Sequence, residues 1–251
     1  MIAKASIAET SIMDEMLTCP QSLQYLSTDG RLPDNPKQRG NHRDGCGIAF
    51  VANNKIEIHK RGSENAWDAS YIKTIREARS KLFLGHNRLA SAGLVSKVES
   101  SHPFEMVAHG IPYSFSHNGT IYSLVDEAKQ KGITDSYIFF EKLISKTQSN
   151  HESEIIERLK NLMKECNYNS MTGFLMSPQK IIVWRIFNET DTTKQEDYNL
   201  YYTMYMKLNK GNVVFSSEPL DDENWTLLPN NSYVSIEPDK DKLQMNVGML
   251  V

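Results

Sequence analysis

The order of hydrophobic patterns along the chain limits its possible folds more than any other feature of the sequence. Strand-like patterns prevail toward both ends, and two consecutive helical patterns lie between them, at 136–147 and 154–166. A parallel doubly wound sheet requires strands and helices to alternate along the sequence, which they do not do here. The sequence therefore predicts an α+β fold in which antiparallel strands and helices form separate layers.

Local patterns predict the individual elements. Asn53-Asn54 separates an apolar run at 47–52 from alternating residues at 56–58, which predicts a hairpin because asparagine tolerates the positive φ of a tight turn. A further helix is predicted at 66–80. The remaining predicted strands are 81–90, 113–117, 173–176, 180–187, 200–208, 213–216, 233–236 and 243–250.

Composition is that of an ordinary globular protein. Charged residues make up 24% and hydrophobic residues 39% of the 251 residues, so wholesale disorder is not expected. The 28 Lys and Arg residues are balanced by 31 Asp and Glu, and a net charge of −3 exerts no general attraction on nucleic acid or anionic lipid. We therefore expect neither a nucleic-acid partner nor a membrane partner.

The sequence also predicts neither a targeting segment nor a domain boundary. The apolar runs are far shorter than the roughly 20 residues of a membrane-spanning helix. The first residues lack the basic start and apolar stretch of a signal peptide. Charged loops at 188–198 and 238–242 are too short to separate domains. These features predict a cytoplasmic protein with a single domain over residues 1–251.

The cysteines and histidines show no spacing typical of a metal site. Cys19, Cys46 and Cys166 form no CxxC pair, and the seven histidines contain no HExxH motif. Glycine-rich phosphate-binding patterns are missing as well. We therefore expect free thiols in a reducing compartment, no metal and no cofactor.

Three polar groups at the ends of predicted elements have the chemistry that recognises an amino acid. The guanidinium of Arg88 suits an α-carboxylate, because its two parallel N–H donors match two oxygens. The carboxylate of Asp135 suits an α-ammonium group. The side-chain amide of Asn118 beside the N–H of Gly119 suits a polarised carbonyl oxygen. Together they indicate glutamine or a γ-glutamyl amide as the ligand.

Each of these groups also has a simpler structural explanation. Arg88 beside an apolar strand is typical of a surface cation or an ion-pair partner. Asp135 precedes an apolar helix and is a good N-cap. Asn118-Gly119 is a common hairpin turn.

A series of short motifs follows in order along residues 1–237. They are Asp44-Gly45-x-Gly47, Gly85-His86-x-Arg88-x-Ala90, His102-Pro103-Phe104, His117-Asn118-Gly119, Thr134-Asp135-Ser136 and Ser216-Ser217-Glu218-Pro219-Leu220. This succession resembles the class II glutamine amidotransferases. It is most similar to their free-standing branch, which contains the ergothioneine-pathway γ-glutamyl hydrolases and the glutathione-degrading homologues.

The resemblance implies a fold and a set of residue roles. The fold is the four-layer αββα sandwich of the N-terminal-nucleophile (Ntn) hydrolases, built on two antiparallel sheets. Arg88 holds the substrate α-carboxylate and Asp135 holds its ammonium group. Asn118 and Gly119 form the oxyanion hole. The remaining pocket residues are His86 and His117, which shape it, and Ser216, Ser217 and Glu218, which lie beside it.

The nucleophile of the family has no counterpart at the expected position. Its catalysis depends on a cysteine that is the first residue of the mature chain, whose thiolate attacks the amide and whose α-amino group is the general base. The resemblance places this cysteine after the initiator methionine, where the chain has Ile2. Cleavage before Cys19 or Cys46 would create an N-terminal cysteine. A strand beginning Cys19-Pro20 is a poor one, however, because proline offers no N–H to a ladder.

Three functions therefore stay open, and with them the question whether the chain is an enzyme. The first is a glutaminase or γ-glutamyl amidohydrolase, processed to an N-terminal cysteine such as Cys19. The second is a nucleophile-less protein that binds the amino acid. The third is a protein that depends on a partner, such as an ammonia acceptor, to supply the missing chemistry.

Overall fold

Strands and helices are arranged in layers in the structure, a computed structural model that describes residues 1–90, 97–145, 147, 151–190 and 193–251. The strands are β1 (Ile2–Thr10), β2 (Gly30–Arg31), β3 (Arg39–Gly40), β4 (Gly45–Ala52), β5 (Lys55–Gly62), β6 (Ser80–Arg88), β7 (Phe104–Ala108), β8 (Ile111–Asn118), β9 (Thr172–Met176), β10 (Ile181–Arg185), β11 (Tyr205–Asn209), β12 (Asn212–Ser216), β13 (Thr226–Leu227), β14 (Ser232–Pro238) and β15 (Leu243–Met249). The helices are α1 (Leu23–Leu26), α2 (Ala69–Glu77), α3 (Tyr122–Lys131), α4 (Asp135–Ile144), α5 (Glu152–Glu165) and α6 (Gln195–Tyr201).

Two large antiparallel sheets form the middle layers. The first sheet has the strand order β13-β11-β12-β1-β6-β4-β5, and the second has the order β15-β14-β10-β9-β8-β7. Side chains such as Leu84 and Phe215 of the first sheet pack against Phe174 and Val183 of the second. Helices α3, α4 and α5 cover the outer face of the second sheet, while α1, α2 and a π-helical turn at Asp14–Thr18 cover that of the first. The fold is the predicted four-layer αββα sandwich.

The first strand lies in the middle of its sheet. Ile2 pairs with Ser216 of β12 on one side and with Gly85 of β6 on the other. Because side chains alternate between the two faces of a strand, Met1 and Ala3 point into the core between the sheets, and Ile2 points into the helical layer. A Cβ atom on Gly85 would lie 2.9 Å from Cγ1 of Ile2, so the small residue makes room for the isoleucine.

Several predicted elements agree with the structure. The predicted hairpin joins β4 to β5, and Asn53 and Asn54 both have positive φ, at 51° and 59°. The helices predicted at 66–80, 136–147 and 154–166 correspond to α2, α4 and α5. Within the described residues, no helix is long and apolar enough to cross a membrane.

Two local predictions were wrong, and the alternative explanation of Asn118-Gly119 as a hairpin turn does not hold. Asn118-Gly119 does not close a hairpin but leads from β8 towards α3, a helix whose short buried stripe consists of Leu124 and Ala128. The predicted charged loop at 188–198 contains the start of α6, and the strand predicted at 200–208 begins at Tyr205. A long-range contact stabilises the end of α6, because the guanidinium of Arg185 donates to the carbonyl oxygens of Tyr202 and Asn199. No local pattern reveals such a contact.

Candidate functional site

A cavity of about 120 Å³ lies where the ends of several strands meet. Met1 precedes β1, Arg88 ends β6, Asn118 ends β8, and Ser217 follows β12. Sites for drug-sized ligands measure roughly 300–1,000 Å³. The cavity therefore suits a small polar molecule, and its lining is rich in charged and amide groups.

Met1, which directly precedes β1, reaches this cavity. Its α-amino group donates a hydrogen bond to Oγ of Ser217 at 2.9 Å, and its carbonyl accepts one from the N–H of Ser217 at 2.9 Å. Burial lowers the pKa of this amino group to about 5, and the nearby carboxylate of Glu218 opposes the shift. The site thus contains a mostly neutral amine at pH 7 beside a serine hydroxyl.

Arg88 brings a buried positive charge to the cavity. The residue is 5% exposed, and its Nη1 has no hydrogen-bond partner in the part of the chain that the structure describes. Among the described residues, no carboxylate lies within 4.0 Å of the guanidinium. The carboxylate of Asp44 opposes the lowering of the Arg88 pKa by burial, but it makes no ion pair with the guanidinium, and its Oδ2 accepts from the N–H of Ala90 at 2.7 Å. A buried cation without a directly bonded carboxylate is costly, so Arg88 is suited to an anionic ligand group.

Asp135 supplies a half-buried carboxylate at the start of α4. Thr134 caps the helix by accepting from the N–H of Tyr137 at 3.1 Å, so Asp135 is the first helical residue rather than the cap. Oδ2 of Asp135 accepts from the N–H of Ile121 at 2.8 Å, which fixes the carboxylate at the cavity wall. The carboxylate can receive a further donor from a ligand.

Asn118 and Gly119 lie at the end of β8, in the second sheet, and bring a side-chain amide and a glycine backbone to the cavity. Gly119 has a φ of 147°, and a Cβ atom there would lie 2.2 Å from the carbonyl oxygen of Ser170, so only glycine fits. Oγ of Ser170 donates to the carbonyl oxygen of Asn118 at 2.8 Å. Within the described residues the Asn118 side-chain amide makes no hydrogen bond, so it is available as a donor to a ligand oxygen.

His117 is locked into one neutral form. Its Nε2 lies 3.1 Å from the carbonyl oxygen of Ser170, which can only accept, so Nε2 carries the proton. Nδ1 then accepts from the hydroxyl of Ser136, 2.9 Å away. Burial lowers the pKa of His117, although the carboxylate of Asp135 opposes the shift. His117 therefore supports the cavity wall by joining β8 to the start of α4.

His86 and His102 form a buried pair of neutral rings at the cavity. Their ring centroids lie 4.4 Å apart, and His102 packs equally closely on Phe104, also at 4.4 Å. Among the residues that the structure describes, nothing forms a hydrogen bond with either nitrogen of His102 or with Nδ1 of His86. Burial lowers the pKa of each histidine well below 6.5. In the described part of the chain, no three His, Cys, Asp or Glu side chains are grouped as metal ligands.

Eight of the residues proposed from the sequence line the cavity, and four do not. Those that line it are His86, Arg88, His117, Asn118, Gly119, Asp135, Ser217 and Glu218. Ser216 is buried at the end of β12, and Cys46 is buried in β4 against the helical layer. Ile2 is fully buried in the helical layer next to Met16, on the face of β1 that points away from the cavity. Cys19 lies in a separate surface groove beside Trp67, and burial together with Glu15 raises the pKa of its thiol to about 11.

Sequence reasoning missed several residues of the lining. Arg31 and His42 come from a polar, turn-rich stretch at 27–45 in which no single residue stands out. Tyr201 ends α6, an element that was not predicted. Met1 was missed because the expected nucleophile position directs attention to Ile2. The alternation along β1 could have shown that neighbouring residues face opposite layers.

The buried histidine pair predicts how stability depends on pH. A histidine with a lowered folded pKa binds its proton more readily in the unfolded chain, so stability falls as the pH drops below about 6.5. Each such histidine lowers the unfolding free energy by about 1.4 kcal/mol for every pH unit below that value. The His102→Phe variant keeps the ring packing, and no hydrogen bond of the ring is lost. We expect its unfolding free energy, measured in urea between pH 7.5 and 5.5, to fall less steeply than that of the wild type. Equal slopes would contradict the prediction.

Comparison with known proteins agrees with this fold. A Haemophilus influenzae protein named as a glutamine amidotransferase is 23% identical over 216 residues, covering 77% of this chain and 73% of the relative. The class-II amidotransferase domain protein of Silicibacter pomeroyi has a TM-score of 0.60 at 17% identity, covering 100% of this chain and 98% of its own. The glutamine phosphoribosylpyrophosphate amidotransferase of Bacillus subtilis has a TM-score of 0.65 at 14% identity.

The two structural matches show the fold, and the family is shown by the sequence. This chain is covered completely by the Bacillus subtilis enzyme but spans only about half, 49%, of that enzyme's length. Residues 31–240 match the family described as glutamine amidotransferases class-II. The chain belongs to the class-II glutamine amidotransferases.

Proposed function

We propose that the cavity binds an amino acid of the glutamine type, with a free α-carboxylate, a free α-ammonium group and a γ-amide. The observation that carries the proposal is the buried guanidinium of Arg88, which has no carboxylate partner among the described residues. An α-carboxylate would supply two acceptors to the guanidinium fork and remove the uncompensated charge.

The other ends of the ligand have matching groups on the same cavity. Asp135 is the carboxylate that would receive the α-ammonium group. The side-chain amide of Asn118 and the N–H of Gly119 would receive the γ-carbonyl oxygen. A ligand that satisfies all three contacts is zwitterionic at one end and has a carbonyl at the other, as glutamine and γ-glutamyl amides do.

We propose further that hydrolysis by a cysteine at the start of β1 does not operate in this chain. The side chains of Met1 and Ile2 contain no nucleophile, and Ile2 faces the helical layer. The chain then acts as a nucleophile-less binding protein. A partner that uses the bound amino acid would be compatible with the same contacts.

Cys19 is a poor substitute for the missing nucleophile. Cleavage before it would remove β1, which lies between β12 and β6 in the middle of the first sheet. Both neighbours would lose their ladder partner, and the core between the sheets would lose Ala3 and Ala5. The thiol itself is protonated at neutral pH, because burial raises its pKa to about 11.

We propose a cytoplasmic location and a single working domain for the chain. All three cysteines are free, which suits a reducing compartment. The first and last thirds of the chain pair directly, since β1 forms a ladder with β12.

Replacing Arg88 tests the carboxylate contact. The Arg88→Met variant keeps the length of the side chain but removes the charged donors, and hydrogen bonds to charged groups contribute about 1.5–3 kcal/mol. We expect calorimetry to show glutamine binding about 10- to 100-fold weaker. We also expect thermal stability equal to or above that of the wild type, because an unpaired buried charge is removed.

The control for this prediction is Arg79→Met, because Arg79 lies away from the cavity and its guanidinium donates to the carbonyl oxygens of Arg76 and Ala78. Glutamine should bind to this variant as it does to the wild type. Wild-type affinity in Arg88→Met, or no glutamine binding by the wild-type protein at millimolar concentration, would refute the proposed contact.

The orientation of Ile2 predicts the outcome of restoring a cysteine there. In Ile2→Cys the thiol would point towards Met16 and the helical layer. We therefore expect no ammonia release from glutamine by the wild type or by this variant, with intact masses identifying the first residue of each protein. Ammonia release by the wild type would disprove the nucleophile-less function, and release by the variant alone would disprove the assigned orientation.

A further inference from the structure

Glu218 connects the end of β12 to the segment that covers part of the cavity. We call residues 23–42 the roof; they comprise α1, β2, β3 and the turns between them. Leu23, Leu26, Gly30, Arg31 and His42 of the roof line the cavity, and so does Glu218. The α1 end of the roof packs on the first sheet through Leu23 and Leu26, and the carbonyl oxygen of Leu23 accepts from the side-chain amide of Asn87 in β6. The strands β2 and β3, in contrast, pair only with each other in the described sheets, so no ladder joins them to either large sheet.

The carboxylate of Glu218 is the main polar anchor of β2 and β3. Its Oε1 accepts from the N–H of Arg31 at 3.0 Å, and its Oε2 accepts from Nη1 of Arg39 at 2.9 Å. Nε of Arg31 lies 3.5 Å from the same Oε2. The Glu218 side chain is only 11% exposed, so these charge-assisted contacts are little screened by water.

A second contact fixes the roof against α6. Nη1 of Arg31 donates to the carbonyl oxygen of Leu200 at 2.8 Å, next to Tyr201, which also lines the cavity. The side chain of Arg31 therefore contacts both Glu218 and the carbonyl oxygen of Leu200, and both contacts depend on its position. Loss of the Glu218 charge would remove the ion pairs that join Arg31 and Arg39 to the segment that follows β12.

We propose that Glu218 is a positioning residue that keeps the roof closed and so restricts the cavity to free amino acids of glutamine size. The inference rests on the proposed function, and it narrows the ligand class. With the roof in place the cavity measures about 120 Å³, which leaves little room for a substituent on the γ-amide nitrogen. A γ-glutamyl dipeptide would have to displace the roof.

Calorimetry with two probes, glutamine and γ-glutamylglycine, tests the size limit. For the wild type we expect glutamine to bind at least about tenfold more tightly. In Glu218→Gln the side chain keeps its shape but loses its charge, and we expect the ratio of the two affinities to fall to about threefold or less. Equal binding of both probes by the wild type would overturn the proposal, as would an unchanged ratio in the variant.

Hydrogen exchange of the ligand-free proteins provides a readout that does not depend on glutamine binding. We expect faster amide exchange at residues 30–40 in Glu218→Gln, with exchange in β1 and β6 unchanged. The matched control is Lys37→Met, which removes an exposed ion pair between the roof and Glu196 and should leave exchange and ligand ratio as in the wild type. Unchanged exchange at 30–40 in Glu218→Gln would overturn the roof assignment. If the wild type binds neither probe, the proposed function fails, and the exchange result still decides the role of Glu218.

Discussion

The pairing of β1 between β12 and β6 is the constraint on which the site depends. It sets the start of the chain beside the ends of both neighbours, so that Met1, Arg88 and Ser217 reach one cavity. The same pairing fixes which residue faces which layer: Met1 points between the sheets and Ile2 points away. Shifting the register by one residue would exchange the two faces and place an isoleucine in the cavity.

The uncompensated charge of Arg88 is the second organising feature. Folding buries this guanidinium without a carboxylate partner among the described residues, at a cost that a purely structural role does not explain. The four histidines that line the cavity do not add to this charge, because burial lowers the pKa of each of them. Of the charged groups at the cavity, Arg31 and Glu218 are paired with each other, which leaves Arg88 and Asp135 without an ion pair among the described residues. One cation and one carboxylate are what a zwitterionic ligand requires.

Much of this arrangement could be predicted from the sequence, because it depends on local patterns and ordered motifs. The layered α+β class followed from the order of periodicities, and the Asn53-Asn54 hairpin followed from turn chemistry. The cavity position of Met1 could not be read from the motifs, since they pointed to the next residue. Helix α6 and the roof were missed because long-range groups, Arg185 and Glu218, hold them in place. Such contacts join residues far apart in the chain and leave no periodic signal.

The central claim is that Arg88 receives the α-carboxylate of a glutamine-type ligand, and changing the ligand tests it most directly. Glutamine and its α-amide, in which a neutral amide replaces the carboxylate, should be titrated into the unmodified protein by calorimetry. We expect glutamine to bind and its α-amide to bind at least about tenfold more weakly, because the guanidinium then has no anionic partner. Equal affinity for the two compounds, or no binding of glutamine at millimolar concentration, would contradict it.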